Sequence, residues 1–391
     1  MPARLTATTL VAAGILALSA FAAAAQSFDT RARAAYVIDQ TTGTVLLSKN
    51  ADVLIPPASM SKLMTIYMAF EAIATGTLSV SEELRVSQRC MDYGGSTMFL
   101  DTRDRVSVED LLRGIIVLSG NDASCVIAEA LSPNGTELGF AQTMTTRARA
   151  LGMTQSTFLN SNGWPAPGHL MSARDLGILA NRLILDFPTF YPLFAEEEFD
   201  YDGEHPANTR NRNPLLGLGI GADGLKTGHE AGYGLVGSAK QGDRRIVFVL
   251  TGLDTEQARA EEAENIVNWA FRQFTQRDLS RAGTRIAEAE VWMGESPSVG
   301  MTLAEDLSLL VPTISAEGLI AEVVYDSPVT APITAGDQLG ELVVTLEGLP
   351  EARVPLIAES DVAKGGFTTR LRTAFQVVLG KMGVPPLPGG A

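Results

Sequence analysis

The stretch Pro56-Pro57-Ala58-Ser59-Met60-Ser61-Lys62-Leu63-Met64-Thr65 opens with a break and runs straight into a helix. Two successive prolines end whatever precedes them. Beyond them Met60, Leu63, Met64, Tyr67 and Met68 fall at i, i+3, i+4, i+7 and i+8, the apolar face of one helix. Ser59 then lies at the helix start, where unpaired N–H groups and the helix dipole favour negative charge. Lys62 follows one turn later on the same face. A serine that only caps a buried helix end is the alternative for Ser59 taken alone.

Around this helix, Ala34-Ala35-Tyr36-Val37-Ile38-Asp39 and Thr44-Val45-Leu46-Leu47 flank Thr41-Thr42-Gly43 and predict a β-hairpin. Residues 107–131 read as a helix interrupted at Ser119-Gly120-Asn121, and 136–151 and 172–186 as further helices. Asp223-Gly224-Leu225-Lys226-Thr227-Gly228-His229 precedes a second hairpin, Gly232 to Ala239 and Arg244 to Thr251. A helix from Glu256 to Phe274 follows, with Ile266, Val267, Trp269, Ala270, Phe271 and Phe274 on its core face. Strands at both ends with helices between them predict an α+β sandwich over residues 26–276, one antiparallel sheet with helices on both faces.

After Arg277 the pattern changes to short apolar runs separated by Pro, Gly and Asp: Ala289 to Trp292, Leu307 to Val311, Leu319 to Val324, Leu339 to Leu346 and Val354 to Ile357. They predict a small all-β domain over 277–360, a spacer or docking module. In 361–391 Phe367, Leu371, Phe375, Val378, Leu379 and Met382 share one helical face, with Arg370, Arg372 and Lys381 elsewhere. A basic amphipathic helix in an acidic chain fits an anionic membrane surface; a helix packed on its own domain is the alternative. Residues 1–25 read as a cleaved secretory signal: Arg4, the apolar run Leu10 to Ala20, then Ala23-Ala24-Ala25. An uncleaved anchor is the other reading.

The formal net charge is −15, and loss of Arg4 with the leader makes it −16, which argues against nucleic acid as a partner. Three histidines without a His/Cys/Glu cluster supply no zinc site, and no residue pattern calls for a metal or cofactor. Cys90 and Cys125 are the only cysteines. They could pair in an oxidising compartment, but Cys125 falls in an apolar helical stretch, and a buried inert thiol is the preferred reading.

A serine hydroxyl needs a base within reach, and Lys62 can serve Ser59 if it is neutral. Burial and a second cation, Lys226, would lower its pKa. Ser119 can pass a proton to a leaving amine, while the Asn121 amide holds a substrate amide. An edge strand at Lys226-Thr227-Gly228 can pair with an extended peptide, Gly228 leaving room for the peptide backbone. Lys226 and Thr227 would seat a terminal carboxylate, and N–H groups at Ser59 and near His229 would form the oxyanion hole. Arg212 is either a further cation on the carboxylate side or a structural arginine bonded to backbone carbonyls.

These stretches, with Ser119-Gly120-Asn121-Asp122-Ala123, Leu151-Gly152-Met153, Met171-Ser172-Ala173-Arg174-Asp175-Leu176 and Ala231-Gly232-Tyr233, resemble the low-molecular-mass penicillin-binding proteins, the serine D-alanyl-D-alanine carboxypeptidases. The resemblance is dense over residues 30–275 and looser in the β-rich domain and tail. It implies a β-lactamase/transpeptidase-like fold and removal of the terminal D-Ala from peptidoglycan stem pentapeptides through acyl-Ser59. It also implies covalent inhibition by β-lactams and a periplasmic place on the outer face of the inner membrane. The family roles implied are catalytic for Ser59, Lys62 and Ser119, and substrate-binding for Asn121, Lys226, Thr227, Gly228, His229 and Arg212. A serine β-lactamase shares the motifs, but between Glu137 and Glu196 the only carboxylates are Asp175 and Asp186, with no deacylating loop glutamate. The motifs also admit a D,D-endopeptidase, whereas a non-catalytic wall-binding protein would have no need of every catalytic residue.

Overall fold

The computed structural model describes residues 28–313, 319–345 and 351–366. In chain order the first part comprises β1 (Ala34–Asp39), β2 (Val45–Lys49), a 3-10 turn (Ala58–Ser61), α1 (Lys62–Ala74), β3 (Glu83–Arg85), α2 (Gln88–Met91), β4 (Arg105–Ser107) and α3 (Val108–Arg113). A π turn (Gly114–Leu118), α4 (Asn121–Leu131), α5 (Glu137–Ala150) and α6 (Ala173–Asp186) lead to β5 (Ala222–His229), β6 (Tyr233–Gln241), β7 (Arg244–Leu253) and α7 (Glu256–Gln273). Helix starts follow the local chemistry: the hydroxyls of Ser107, Thr136, Ser172 and Thr255 accept from the N–H three residues on.

The main sheet runs β2-β1-β7-β6-β5, antiparallel throughout. Side-chain alternation divides its core between two faces. Val247 and Val249 of β7 pack with α1, α4 and α6, while Ile246, Phe248 and Leu250 pack with Ile266, Val267 and Ala270 of α7. The sandwich expected over this part of the chain is therefore present, and β5 is an edge strand.

Beyond it lie β8 (Phe274–Ser280), β9 (Arg285–Trp292), β10 (Ser298–Leu303), β11 (Leu307–Pro312), β12 (Ile320–Tyr325), β13 (Val329–Thr330), β14 (Gln338–Thr345) and β15 (Ala352–Ala358). Six of them form the sheet β12-β14-β15-β10-β9-β13, and β11 pairs with β8. Phe274, expected at the helix end, instead opens β8, yet its ring stays buried against Trp269. The rest of β8 is largely polar and half-exposed, so no apolar run marked it. The expected leader, 1–25, and the apolar face of the tail, from Phe367 on, lie outside the described residues. Among the described residues no helix is long and apolar enough to cross a membrane.

The expectation of a free buried thiol at Cys125 is wrong: Cys90 and Cys125 form a disulfide joining α2 to α4. Their separation of 35 residues is bridged because α2 packs across α4, an approach that sequence spacing does not encode. Closing a loop of that length removes unfolded-state entropy worth about 3–4 kcal/mol. Reduction is expected to lower the thermal midpoint by roughly 5–10 °C in calorimetry; an unchanged midpoint would show that the bond adds nothing to stability.

Candidate active site

The approach to Ser59 is a tight turn. Ala58 adopts φ +47°, and Ala58–Ser61 forms a 3-10 turn before α1 begins at Lys62. Residues three apart eclipse one another in a 3-10 turn, and Lys62 Nζ lies 2.8 Å from Ser59 Oγ. The amine also donates to the Asn162 carbonyl at 2.8 Å. Lys62 is fully buried, and that desolvation holds its pKa well below the ordinary 10.5. The charges of Lys226 and Arg212 push it further down, against a smaller opposing effect of Asp122. The geometry thus presents a hydroxyl to an amine whose charged form the site disfavours.

Facing this pair, the helix that begins with α3 widens into the π turn and ends at Ser119, a left-handed residue with φ +64°. A non-glycine residue in that region costs energy, as does a buried hydroxyl without a partner. Among the described residues the Ser119 hydroxyl has no hydrogen-bond partner, so both costs fall on the residue expected to relay a proton. Asn121 opens α4 and is held by the preceding loop: its N–H donates to the Ser96 carbonyl at 2.7 Å and its side-chain amide to the Gly94 carbonyl at 2.8 Å.

The third wall is β5. Lys226 is buried, its Nζ 3.3 Å from the Thr227 carbonyl. Burial, then Arg212 and Arg259, lower its pKa to about 7. Thr227 is buried beside it, whereas His229 is exposed and stacked on Tyr233 with ring centroids 4.0 Å apart. Arg212 donates to the Ser96 hydroxyl rather than to backbone carbonyls. Ser96 therefore ties the Arg212 side of the cleft to Asn121. Gly228 has a packing reason that the sequence did not show. A Cβ there would lie 2.9 Å from both Met60 Cγ and the Pro57 carbonyl oxygen. Its missing side chain admits the turn that carries Ser59.

Several contributors escaped the sequence reading. Arg259 is buried and bonded to Glu256 at 2.6 Å, and among the described residues its Nε has no partner. At i+3 from an acid on a helix it reads as a surface ion pair. The loop 160–164 supplies the Asn162 carbonyl, and Gly163 approaches so closely that a Cβ would lie 1.8 Å from the Ala58 carbonyl oxygen. His169 places Nε2 3.0 Å from the Ser61 hydroxyl. Its pKa is pushed down to about 4, chiefly by burial, so it props the turn as a neutral ring. The only sequence signal for the loop was its Asn/Ser/Gly composition.

The reacting groups come together where β5 packs on the 3-10 turn, close enough for Lys226 to act on the charge of Lys62. A separate cavity of about 570 Å³, lined by Thr42–Val45, residues 304–309 and Glu351–Pro355, contains none of them. Among the described residues the one tight group of possible metal ligands, Cys90, Cys125 and Glu129, has both sulfurs in the disulfide.

Known proteins match this arrangement along most of the chain. The profile of the D-alanyl-D-alanine carboxypeptidase family matches residues 20–255, and that of the penicillin-binding protein 5 C-terminal domain matches 274–364. D-alanyl-D-alanine carboxypeptidase DacC of Escherichia coli is 34% identical over 369 residues, covering 91% of each chain. The crystal structure of penicillin binding protein 5 from Haemophilus influenzae superposes with a TM-score of 0.75 at 31% identity, covering 86% of this chain and 99% of that one. Penicillin-Binding Protein D2 from Listeria monocytogenes, solved in an ampicillin-bound form, does so with a TM-score of 0.56 at 29% identity over 62% of this chain and 98% of its own. With its serine, lysine and cationic strand set on a fold shared over this length, the chain belongs to the D-alanyl-D-alanine carboxypeptidase family.

Proposed function

We infer that this protein removes the terminal D-alanine from peptidoglycan stem pentapeptides through an acyl-Ser59 intermediate. The observation that carries the reading is the 2.8 Å approach of the fully buried Lys62 Nζ to the Oγ of half-buried Ser59. As Ser59 Oγ bonds to the carbonyl carbon of the penultimate D-alanine, Lys62 takes its proton. Ser119 relays a proton to the departing amine, and the C–N bond breaks. Water then attacks the ester, frees the shortened peptide and restores the hydroxyl. The oxyanion would be held by N–H groups at Ser59 and near His229.

The cations Lys226, Arg212 and Arg259, with Thr227, would seat a free carboxylate, and Asn121, fixed by the Gly94 carbonyl, would hold the peptide amide. That seat favours cleavage at a free C-terminus over the endopeptidase alternative. Rapid β-lactam hydrolysis would need a carboxylate to activate water at the ester. Asp175 is engaged by Gln155 N–H and Ser156 Oγ, and Asp186 by Tyr67 and Arg182. β-Lactams would therefore acylate Ser59 and stay. A fluorescent penicillin is expected to label the wild type covalently and to leave Ser59→Ala unlabelled; labelling of Ser59→Ala would refute the serine assignment.

For location, the leader-like residues 1–25 and the basic amphipathic pattern of 361–391 support export to the periplasm and attachment to the outer face of the inner membrane. Deleting 361–391 is expected to move the protein from the membrane pellet to the soluble fraction. Unchanged sedimentation would contradict attachment through the tail.

A further inference from the structure

Glu137 stands at the start of α5, outside the catalytic motifs, yet its carboxylate is almost wholly buried. Four donors converge on it. Oε1 accepts from Ser161 N–H at 3.1 Å and Ser161 Oγ at 2.7 Å; Oε2 accepts from Arg89 Nη2 and Tyr93 OH, both at 2.7 Å. Burial alone would raise its pKa, but these bonds outweigh it and keep the group below the ordinary carboxylate range.

The two oxygens reach two different walls of the cleft. Ser161 is followed by Asn162, whose carbonyl accepts from Lys62 Nζ. The Ser161 carbonyl is itself fixed by Thr65 of α1. Arg89 and Tyr93 lead into Gly94, whose carbonyl holds the Asn121 amide, and Ser96, which holds both Asn121 N–H and Arg212. One carboxylate therefore spans the base side and the substrate-binding side.

We propose that Glu137 is a positioning residue that braces the Asn162 carbonyl against Lys62 with one oxygen and the Asn121-holding loop with the other. The role rests on the carboxypeptidase reading above. It needs an ionised acid: a carboxamide of the same shape has only one acceptor oxygen and cannot serve both loops. The brace keeps Lys62 aimed at Ser59, so its loss acts on the acylation step. Its Oε2 arm keeps Asn121 in place, so loss of that arm acts on substrate binding.

The test measures D-alanine release from a pentapeptide, with active sites titrated by fluorescent penicillin. Glu137→Gln is expected to lower kcat per titrated site by about 100-fold, since small misplacements of reacting groups carry penalties of that order. Ser161→Ala removes one bond on the Oε1 arm and is expected to lower kcat about fivefold with KM unchanged. Tyr93→Phe, on the other arm, is expected to raise KM about fivefold with little change in kcat. Wild-type kcat and KM in folded Glu137→Gln would overturn the proposal. Should Glu137→Gln fail to fold, the kcat-against-KM split of the two single-bond variants supports it, and unchanged kcat in Ser161→Ala overturns it. A wild type that releases no D-alanine would overturn the carboxypeptidase reading as well. An active wild type with equally active variants removes only the brace.

Discussion

Lys62→Met is expected to lower the rate of Ser59 acylation by about 10²–10⁴-fold, the usual contribution of a positioned base, while the protein still folds. Methionine matches the lysine stem in length and suits the buried site, so the change removes the amine rather than the packing. Lys62 is fully buried and held well below its ordinary pKa, so its charged form is the one the site disfavours. The sign for stability follows. Between the folded and unfolded pKa values the unfolded chain binds more protons, so stability increases as pH rises towards 10.5. Lys62→Met is expected to flatten that slope in denaturant titrations run at several pH values.

The same lysine pair sets the pH dependence of turnover. kcat/KM rises with pH as Lys62 becomes neutral and falls as Lys226 loses the charge that seats the carboxylate. For the empty site the falling limb is governed by a group near 7, well below an ordinary lysine. A bound carboxylate moves that group upward in the kcat profile, which reports the complex, and the two limbs belong to the coupled pair rather than to either residue. Lys226→Arg keeps its charge at all working pH values, so its falling limb is expected to shift far to the alkaline side. An unchanged profile would remove Lys226 from the role given to it.

Gly163→Ala is expected to cost activity on the order of 100-fold, although the residue carries no functional group. The new Cβ would lie 1.8 Å from the carbonyl oxygen and 2.4 Å from the carbonyl carbon of Ala58, both backbone atoms that cannot rotate away. Its φ of +78° adds strain. Either the 160–164 loop retreats and takes the Asn162 carbonyl from Lys62, or the turn carrying Ser59 moves. Gly43→Ala is the matched control: φ is +72° and nothing lies within 4 Å. It is expected to cost about 1–2 kcal/mol of stability and no turnover per titrated site. Equal turnover in the two variants would show that the Gly163 contact does not position the nucleophile.

The sequence was most legible where chemistry and local structure coincide. Ser59 and Lys62 sit one turn apart at a proline-marked start, and Ser119 falls at a break in a helical pattern. The strands of the second hairpin carry apolar runs, and α7 shows an apolar face. What stayed hidden was brought together by tertiary packing. The Asn162 carbonyl is a backbone group, carrying no residue-type signal. Ser96 lies in the aperiodic segment after α2, yet contacts both Asn121 and Arg212. The Cys90–Cys125 pairing depends on how α2 crosses α4. Gly228 was legible as a close approach, but its packing against Met60 and the Pro57 carbonyl was not.

Ser59, activated by Lys62, is expected to be acylated by a peptide ending in D-alanyl-D-alanine. Incubation with such a muropeptide and mass-spectrometric analysis of peptide and protein tests it directly. The wild type is expected to shorten the peptide by one alanine, and Ser59→Ala to leave it intact with no acyl adduct. Full trimming by Ser59→Ala would rule out Ser59 as the nucleophile.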